Sequence, residues 1–173
     1  MMLDDLLRLV PGLRKFRTLN AATLRKMLDR AKGECTWCGD PVPKGRRTWC
    51  STSCLEQFNL RCTTAGILGF VQKRDRSRCQ ACGRCTKQAQ IEFNTALRLA
   101  PWHADGGWRK PLYHKRKRAL MKSFGWGGGG WGQADHIVPV AEGGGLTGPE
   151  NFQWLCGACH AAKTKQHRKR DAK

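Results

Sequence analysis

The stretch Ala134-Asp135-His136-Ile137-Val138-Pro139-Val140, followed by Gly143-Gly144-Gly145 and then by Asn151-Phe152-Gln153-Trp154-Leu155-Cys156-Gly157-Ala158-Cys159-His160, decides the fold. An apolar run carrying Asp-His reads as a strand, and the glycines with Gly148 and Pro149 read as a turn. A second short strand runs into Cys156, and Cys159-His160 opens a basic helix through about Arg170. The order strand, loop, strand, helix places Asp135 and His136 on one wall of a small site and His160 on the facing helix.

Around that stretch the composition is strongly basic. The chain of 173 residues holds 32 Lys and Arg against 13 acidic residues, a formal charge of +19. That length bounds it to one modest domain or two very small ones, with limited core to bury. No folding argument requires such a surplus of charge. It sets up a field that concentrates polyanions, of which nucleic acid is the usual one. No apolar run is long enough to span a bilayer. Asp4-Asp5 precede a short apolar stretch that Pro11 ends, which is not a secretory pattern. The expectation is a soluble, intracellular protein, cytoplasmic or DNA-associated, with no membrane partner.

Eight of the ten cysteines fall into short pairs: Cys35/Cys38, Cys50/Cys54, Cys79/Cys82 and Cys156/Cys159. Pairs two or three residues apart suit thiolates converging on one tetrahedral metal, and disulfides show no such preference. Two four-cysteine zinc sites in a reducing compartment are expected. Cys35, Cys38, Cys50 and Cys54 make a treble-clef-like finger, a knuckle pair followed by a pair at a helix start. So short a segment cannot bury enough apolar surface alone, so zinc would supply its folding energy. Four thiolates leave no open coordination position, so this site is structural. Its basic tip, Lys44, Arg46 and Arg47, reads equally as a phosphate contact or a solvated loop.

Leu3, Leu6, Leu7 and Val10 suggest a short helix, and Asn20 caps a second from Ala21 to about Lys32. These helices read as a packing cover for the first zinc site, or as an arm contacting DNA through Arg14, Lys15, Arg17, Arg25 and Lys26. From Cys54 to about Arg76 the pattern predicts one helix, with Cys62 a small buried hydrophobe. Residues 86–132 form a long insertion, with one short element around Ile91–Leu99 and a loop from Pro101 to Trp108. Its basic segment (Arg109, Lys110, Lys115, Arg116, Lys117, Arg118, Lys122) is expected to contact phosphates. Trp126 and Trp131 lie in a glycine-rich run, where they either cover a small core or stack on bases.

Asp135-His136, Asn151 and, after eight further residues, His160 followed by Lys163-Thr164 resemble the HNH (His-Asn-His, ββα-metal) endonucleases. The likeness extends to Cys79-Gln80-Ala81-Cys82, because many zinc-stapled HNH nucleases pair such a knuckle with one flanking the catalytic helix, here Cys156 and Cys159. Cys85 is the alternative fourth ligand and Cys82 the preferred one. The resemblance implies that His136 is the general base, an imidazole of unperturbed pKa about 6.5 being able to take a proton near neutral pH. It implies that Asp135 and His160 hold one divalent ion, Mg²⁺ or else Mn²⁺ or Ni²⁺, and that Asn151 orders the loop so that His136 points correctly. Lys163 reaches a phosphate or lies solvated, and Lys165 extends the basic flank.

The fold expected is therefore small, zinc-stabilised α+β. Residues 1–33 form a helical arm, 34–76 the four-cysteine finger and linking helix, and 77–173 the HNH nuclease domain with the 86–132 insertion. The expected activity is metal-dependent hydrolysis of DNA phosphodiester bonds. RNA is not distinguished, because the chemistry acts on the phosphate. No base-reading element is apparent, so specificity is expected to be weak or lent by a protein partner. The rival reading is a non-catalytic double-zinc nucleic-acid-binding module. It gives no reason for Asp135, His136, Asn151 and His160 to occur together.

Overall fold

Asn20 caps the first helix of the described chain, its side-chain oxygen accepting from Thr23 N–H at 2.8 Å, and α1 runs Ala21–Met27. The computed structural model describes residues 18–104, 111–127 and 130–171. The helix expected around Leu3–Val10, the arm residues Arg14, Lys15 and Arg17, and the basic residues Arg109 and Lys110 lie outside them. Two compact units are present. Among the described residues, one gathers those up to Val71 with His136–Phe152, and the other gathers those from Gln72 to Asp135 with those from Gln153 onward.

In the first unit α1 stops well short of Lys32. The Arg25 guanidinium donates to the carbonyls of Ala31 and Glu34, at 2.6 and 2.7 Å, and Asp29 takes a positive φ of 48°. The chain therefore turns back toward an antiparallel bridge between Glu34 and Pro41. Ser51 caps α2, Thr52–Cys62, by accepting from Cys54 N–H at 3.2 Å. The single helix expected from Cys54 to Arg76 is two. Thr63 is extended; its hydroxyl donates to Asn59 O at 2.8 Å and accepts from Gly66 N–H at 3.1 Å. That arrangement ends α2 and starts α3, Thr64–Arg74. A core of Leu19, Leu24, Trp37, Phe58, Cys62 and Leu146 packs beside the first cysteine cluster, with Trp49 tilted on Phe58 at 4.8 Å. Cys62 is buried as expected, and burial pushes its thiol up to about 12.

The second unit holds more regular structure than its sequence suggests. Cys85 leads into α4, Thr86–Leu99, a helix of 14 residues with Ala89, Phe93 and Leu97 buried. A single helical turn at Pro101–Ala104 follows, then α5, Pro111–Ser123. Phe93 meets Trp131 at 5.1 Å and Phe124 at 6.3 Å, so Trp131 covers core. Strands β1, Gly132–His136, and β2, Phe152–Cys156, pair antiparallel, and β2 runs straight into α6, Gly157–Asp171.

Hydrogen bonds at the two ends of the ladder, Gly157 N–H to Trp131 O and Ile137 N–H to Asn151 O, fix the register. Asp135 then lies opposite Gln153, and His136 opposite Phe152. The strand expected across residues 134–140 ends at His136, leaving Ile137 and Val138 exposed. The free edge of β2 is covered within the second unit. Trp154 donates its N–H to Asp75 at 2.8 Å and accepts from Gln80 N–H at 2.8 Å, and its indole donates to Thr86 at 2.9 Å.

Candidate metal centres and active site

Each cysteine cluster is assembled from a knuckle and a helix start. In the first unit Cys35 N–H donates to Asp40 O, and Gly39, at φ 88°, returns its N–H to Cys35 O. In the second unit Cys79 N–H donates to Arg84 O, and Gly83, at φ 71°, returns its N–H to Cys79 O. A left-handed residue is what closes so tight a loop, and glycine adopts it without a Cβ clash. The remaining pairs are Cys50 and Cys54 around the cap of α2, and Cys156 and Cys159 where β2 becomes α6.

The ligand atoms of Cys35, Cys38, Cys50 and Cys54 lie within 4.8 Å of one another, as do those of Cys79, Cys82, Cys156 and Cys159. Sulfurs around a tetrahedral zinc at about 2.3 Å stand about 3.8 Å apart. The separations here are 3.4 Å for Cys38–Cys50, 3.5 Å for Cys50–Cys54, 3.7 Å for Cys54–Cys38 and 3.8 Å for Cys82–Cys156. Both sets fit zinc. Cys82 and not Cys85 completes the second cluster.

The electrostatics of the clusters agree with that fit. Burial opposes ionisation of Cys35, but backbone hydrogen bonds from Cys38, Cys50 and Trp37 outweigh it and bring the thiol down to about 6. Cys79 falls to about 7 in the same way, burial being outweighed by backbone bonds from Cys156, Cys82 and Ala81. Burial, the Asp40 carboxylate and neighbouring thiols push Cys38 up to about 11. Burial and the Cys156, Cys82 and Cys79 sulfurs drive Cys159 up as well. The thiolate is thus favoured at Cys35 and Cys79 and opposed at Cys38 and Cys159. A divalent cation, when bound, would favour the thiolate at each of its ligands.

Within the second unit, β1 presents Asp135 to α6. Asp135 Oδ1 lies 3.7 Å from His160 Nε2, and Oδ2 lies 2.5 Å from Lys163 Nζ. All three side chains are largely covered, at 19, 28 and 22% exposure, which excludes much of the water that screens surface pairs. His160 and Lys163 share a helix face by their three-residue spacing. The Thr164 hydroxyl donates to His160 O at 2.9 Å. A carboxylate and an imidazole facing each other form a donor set suited to a small divalent ion, with positions left for water and phosphate.

In the first unit, His136 ends β1 buried, with its ring 4.1 Å from that of Phe152. Asn151 ties the following loop. Its Oδ1 accepts from Val138 N–H at 2.8 Å, and its Nδ2 donates to Val138 O at 3.0 Å and to Gly144 O at 2.8 Å. A Cβ on Gly144 would collide with the Val138 carbonyl and come within 2.7 Å of Asn151 Nδ2, so this turn requires glycine. The geometry explains why β1 stops at His136: the backbone groups of Val138 are used by a side chain rather than by a ladder.

Of the expected nucleic-acid contacts, Lys115, Arg116 and Arg118 are exposed on α5 and Lys165 on α6. Lys117 lies over the Tyr113 ring at 5.8 Å, and Lys163 is engaged with Asp135. Two features escaped sequence reasoning. The ion pair joins residues 28 apart, and Asp75 reaches a backbone N–H 79 residues away. Neither leaves a local spacing to read. Hydrogen bonding from Arg74 holds the Asp75 carboxyl below its ordinary range, against the opposing effect of burial and with help from Trp154 N–H.

Comparison with known proteins places the same segment. The sequence model of the HNH endonuclease family matches residues 132–166. The chain is 30% identical over 126 residues to the human DNA annealing helicase and endonuclease ZRANB3, covering 70% of this chain and 11% of that protein. It is 29% identical over 122 residues to the mouse protein, with the same 70% and 11% coverage. With the bovine protein it shares 27% identity over 165 residues, 87% of this chain and 15% of the relative. The chain therefore spans between 11 and 15% of the length of these curated relatives. No solved structure matches. Among the described residues no helix is long and apolar enough to cross a membrane.

Proposed function

Taking as premise that residues 132–166 match the HNH endonucleases, we propose that this protein is a metal-dependent endonuclease that hydrolyses DNA phosphodiester bonds. The observation that carries the reading is the facing pair Asp135 and His160 at 3.7 Å, seated between a β-strand and a helix. The charge of +19 and the named relatives, which are DNA-processing proteins by name, support DNA as substrate.

The roles follow from the side chains. Asp135 and His160 hold a divalent ion, Mg²⁺, Mn²⁺ or Ni²⁺. When bound, such an ion stabilises negative charge on the phosphoryl group and the leaving oxygen. His136 accepts the proton of the attacking water at a ring nitrogen. Stacking on Phe152 fixes the plane of that ring, and Asn151, by tying Val138 to Gly144, fixes the chain just beyond it. Lys115, Arg116 and Arg118 on α5, with Lys165 on α6, draw the phosphate backbone in. Both cysteine clusters hold zinc for structure only, since four thiolates leave no position for substrate. Specificity is weak, or is supplied by a partner.

The test uses zinc-loaded full-length protein and its Asp135→Asn and His160→Ala variants on supercoiled plasmid, with and without added Mg²⁺ or Mn²⁺. Wild type is expected to nick or linearise the plasmid only with added metal. Each variant should lose at least about a hundredfold in rate while keeping two zinc ions. Cutting that survives in both variants would refute the assignment.

A further inference from the structure

The Asp135 carboxylate already has a cation on it. Lys163 Nζ lies 2.5 Å from Oδ2, while Oδ1 faces His160 at 3.7 Å. We propose that Lys163 is the exchangeable counter-cation of Asp135: its ammonium occupies the carboxylate in the resting protein, yields it when the divalent ion binds, and then pairs with the scissile phosphate. The proposal rests on the nuclease reading for the second half of that cycle and on the geometry alone for the first.

The pairing does more than fill a gap. Asp135 and Lys163 sit on different elements, β1 and α6, and are both mostly covered, so the ammonium sets which oxygen of the carboxylate turns toward His160. It also compensates the charge of a carboxylate that is mostly covered and faces the His160 imidazole on its other oxygen. The cost falls on metal binding. A unit positive charge within a few ångströms of a dication repels it by about 2 kcal/mol or more even at a high effective dielectric, so wild type should bind its ion weakly until another anion is present to receive the ammonium. A phosphodiester supplies that anion. Lysine suits the exchange because its charge is a compact point on a flexible stem, unlike the rigid fork of arginine. Metal and DNA should therefore bind cooperatively in wild type, each relieving the other's electrostatic penalty.

The test compares zinc-loaded wild type, Lys163→Met and Lys163→Arg, all full-length. Mn²⁺ binding is read from the electron-paramagnetic signal of free Mn²⁺, counting only the site that Asp135→Asn removes. Without DNA, Lys163→Met should bind Mn²⁺ at least about tenfold tighter than wild type, and Lys163→Arg should stay near wild type. A DNA duplex should tighten Mn²⁺ binding in wild type and not in Lys163→Met. At saturating Mn²⁺, cleavage by Lys163→Met should fall at least about tenfold. A lysine that merely clips α6 to β1 would give unchanged or weaker Mn²⁺ binding in Lys163→Met, and that result overturns the proposal. Undiminished cleavage, or no Mn²⁺ bound by any of the three, overturns it too. Tighter binding in Lys163→Met with no cleavage by any protein would leave the counter-cation standing and discard the nuclease.

Discussion

Cys54 is the third residue of α2 and Cys159 the third of α6, and each closes a four-cysteine cluster against a knuckle with a left-handed glycine. One and four residues beyond the cysteine the two helices part company. In α2 those positions are Leu55 and Phe58, and Phe58 lies in the core of its unit. In α6 they are His160 and Lys163, and both meet Asp135. The same construction thus serves once to build a core and once to aim two polar side chains at a carboxylate. A metal knuckle fixes where a helix starts and leaves the chemistry of its next turn unassigned. What distinguishes the second cluster is the strand that α6 faces.

The comparison breaks most readily at the metals. Cys156→Ala should leave about one zinc per chain and unfold the strand–helix module, because structural zinc contributes on the order of 10 kcal/mol to such folds. Cys50→Ala should also leave one zinc, yet preserve the second cluster. Zinc content by atomic absorption alongside circular dichroism separates the two. Equal loss of structure in both variants would mean that the clusters do not stabilise separate regions.

In the turn that follows the cysteine on each helix the effects should cross. Phe58→Ala should cost about 3–5 kcal/mol of stability with the cleavage rate unchanged in the folded fraction. His160→Ala should abolish cleavage at a stability cost within about 1 kcal/mol. Denaturant titration and plasmid nicking read both quantities. Asn151→Ala comes next. It leaves the Val138 and Gly144 groups without their side-chain partner and should cost about 1–3 kcal/mol, with cleavage falling through disorder of the loop rather than loss of a ligand.

A smaller effect is expected at Asp75. Its carboxyl is held below the ordinary aspartate value in the fold. A depressed folded value means the unfolded chain takes up the proton first as pH falls. The contribution of Asp75 is therefore complete above the unfolded value and is lost as pH drops through the folded one. Unfolding of Asp75→Asn should be less sensitive to pH below about 4 than wild type. Smallest of all, Lys165→Ala should weaken DNA binding uniformly across sequences and reduce the salt slope by about one.

The cysteine clusters were legible because metal sites are built from spacing along the chain, and the approach of Asp135 to His160 followed from the order strand, loop, strand, helix. The length of β1 was not legible. Ile137 and Val138 look like strand, but they are exposed, and Asn151 takes the hydrogen bonds a ladder would have used. Helix α4 was concealed because Ile91 and Leu99 are apolar and exposed while Ala89, Phe93 and Leu97 are the buried face. The break between α2 and α3 was hidden in Thr63, whose side chain does the work of a cap. Lys163 on Asp135 and Asp75 on Trp154 are tertiary contacts, settled only once the strand and helix are in place.

The most direct test of the nuclease reading is cleavage of supercoiled plasmid by zinc-loaded wild type and His136→Ala at saturating Mg²⁺ or Mn²⁺. Zinc content and thermal melting serve as checks that both are folded. Wild type should nick or linearise the plasmid only with metal, and His136→Ala should lose about a hundredfold or more in rate. Equal cleavage by both would contradict His136 as the base, and equal DNA binding with no cleavage by either would make the protein a zinc-built nucleic-acid-binding module.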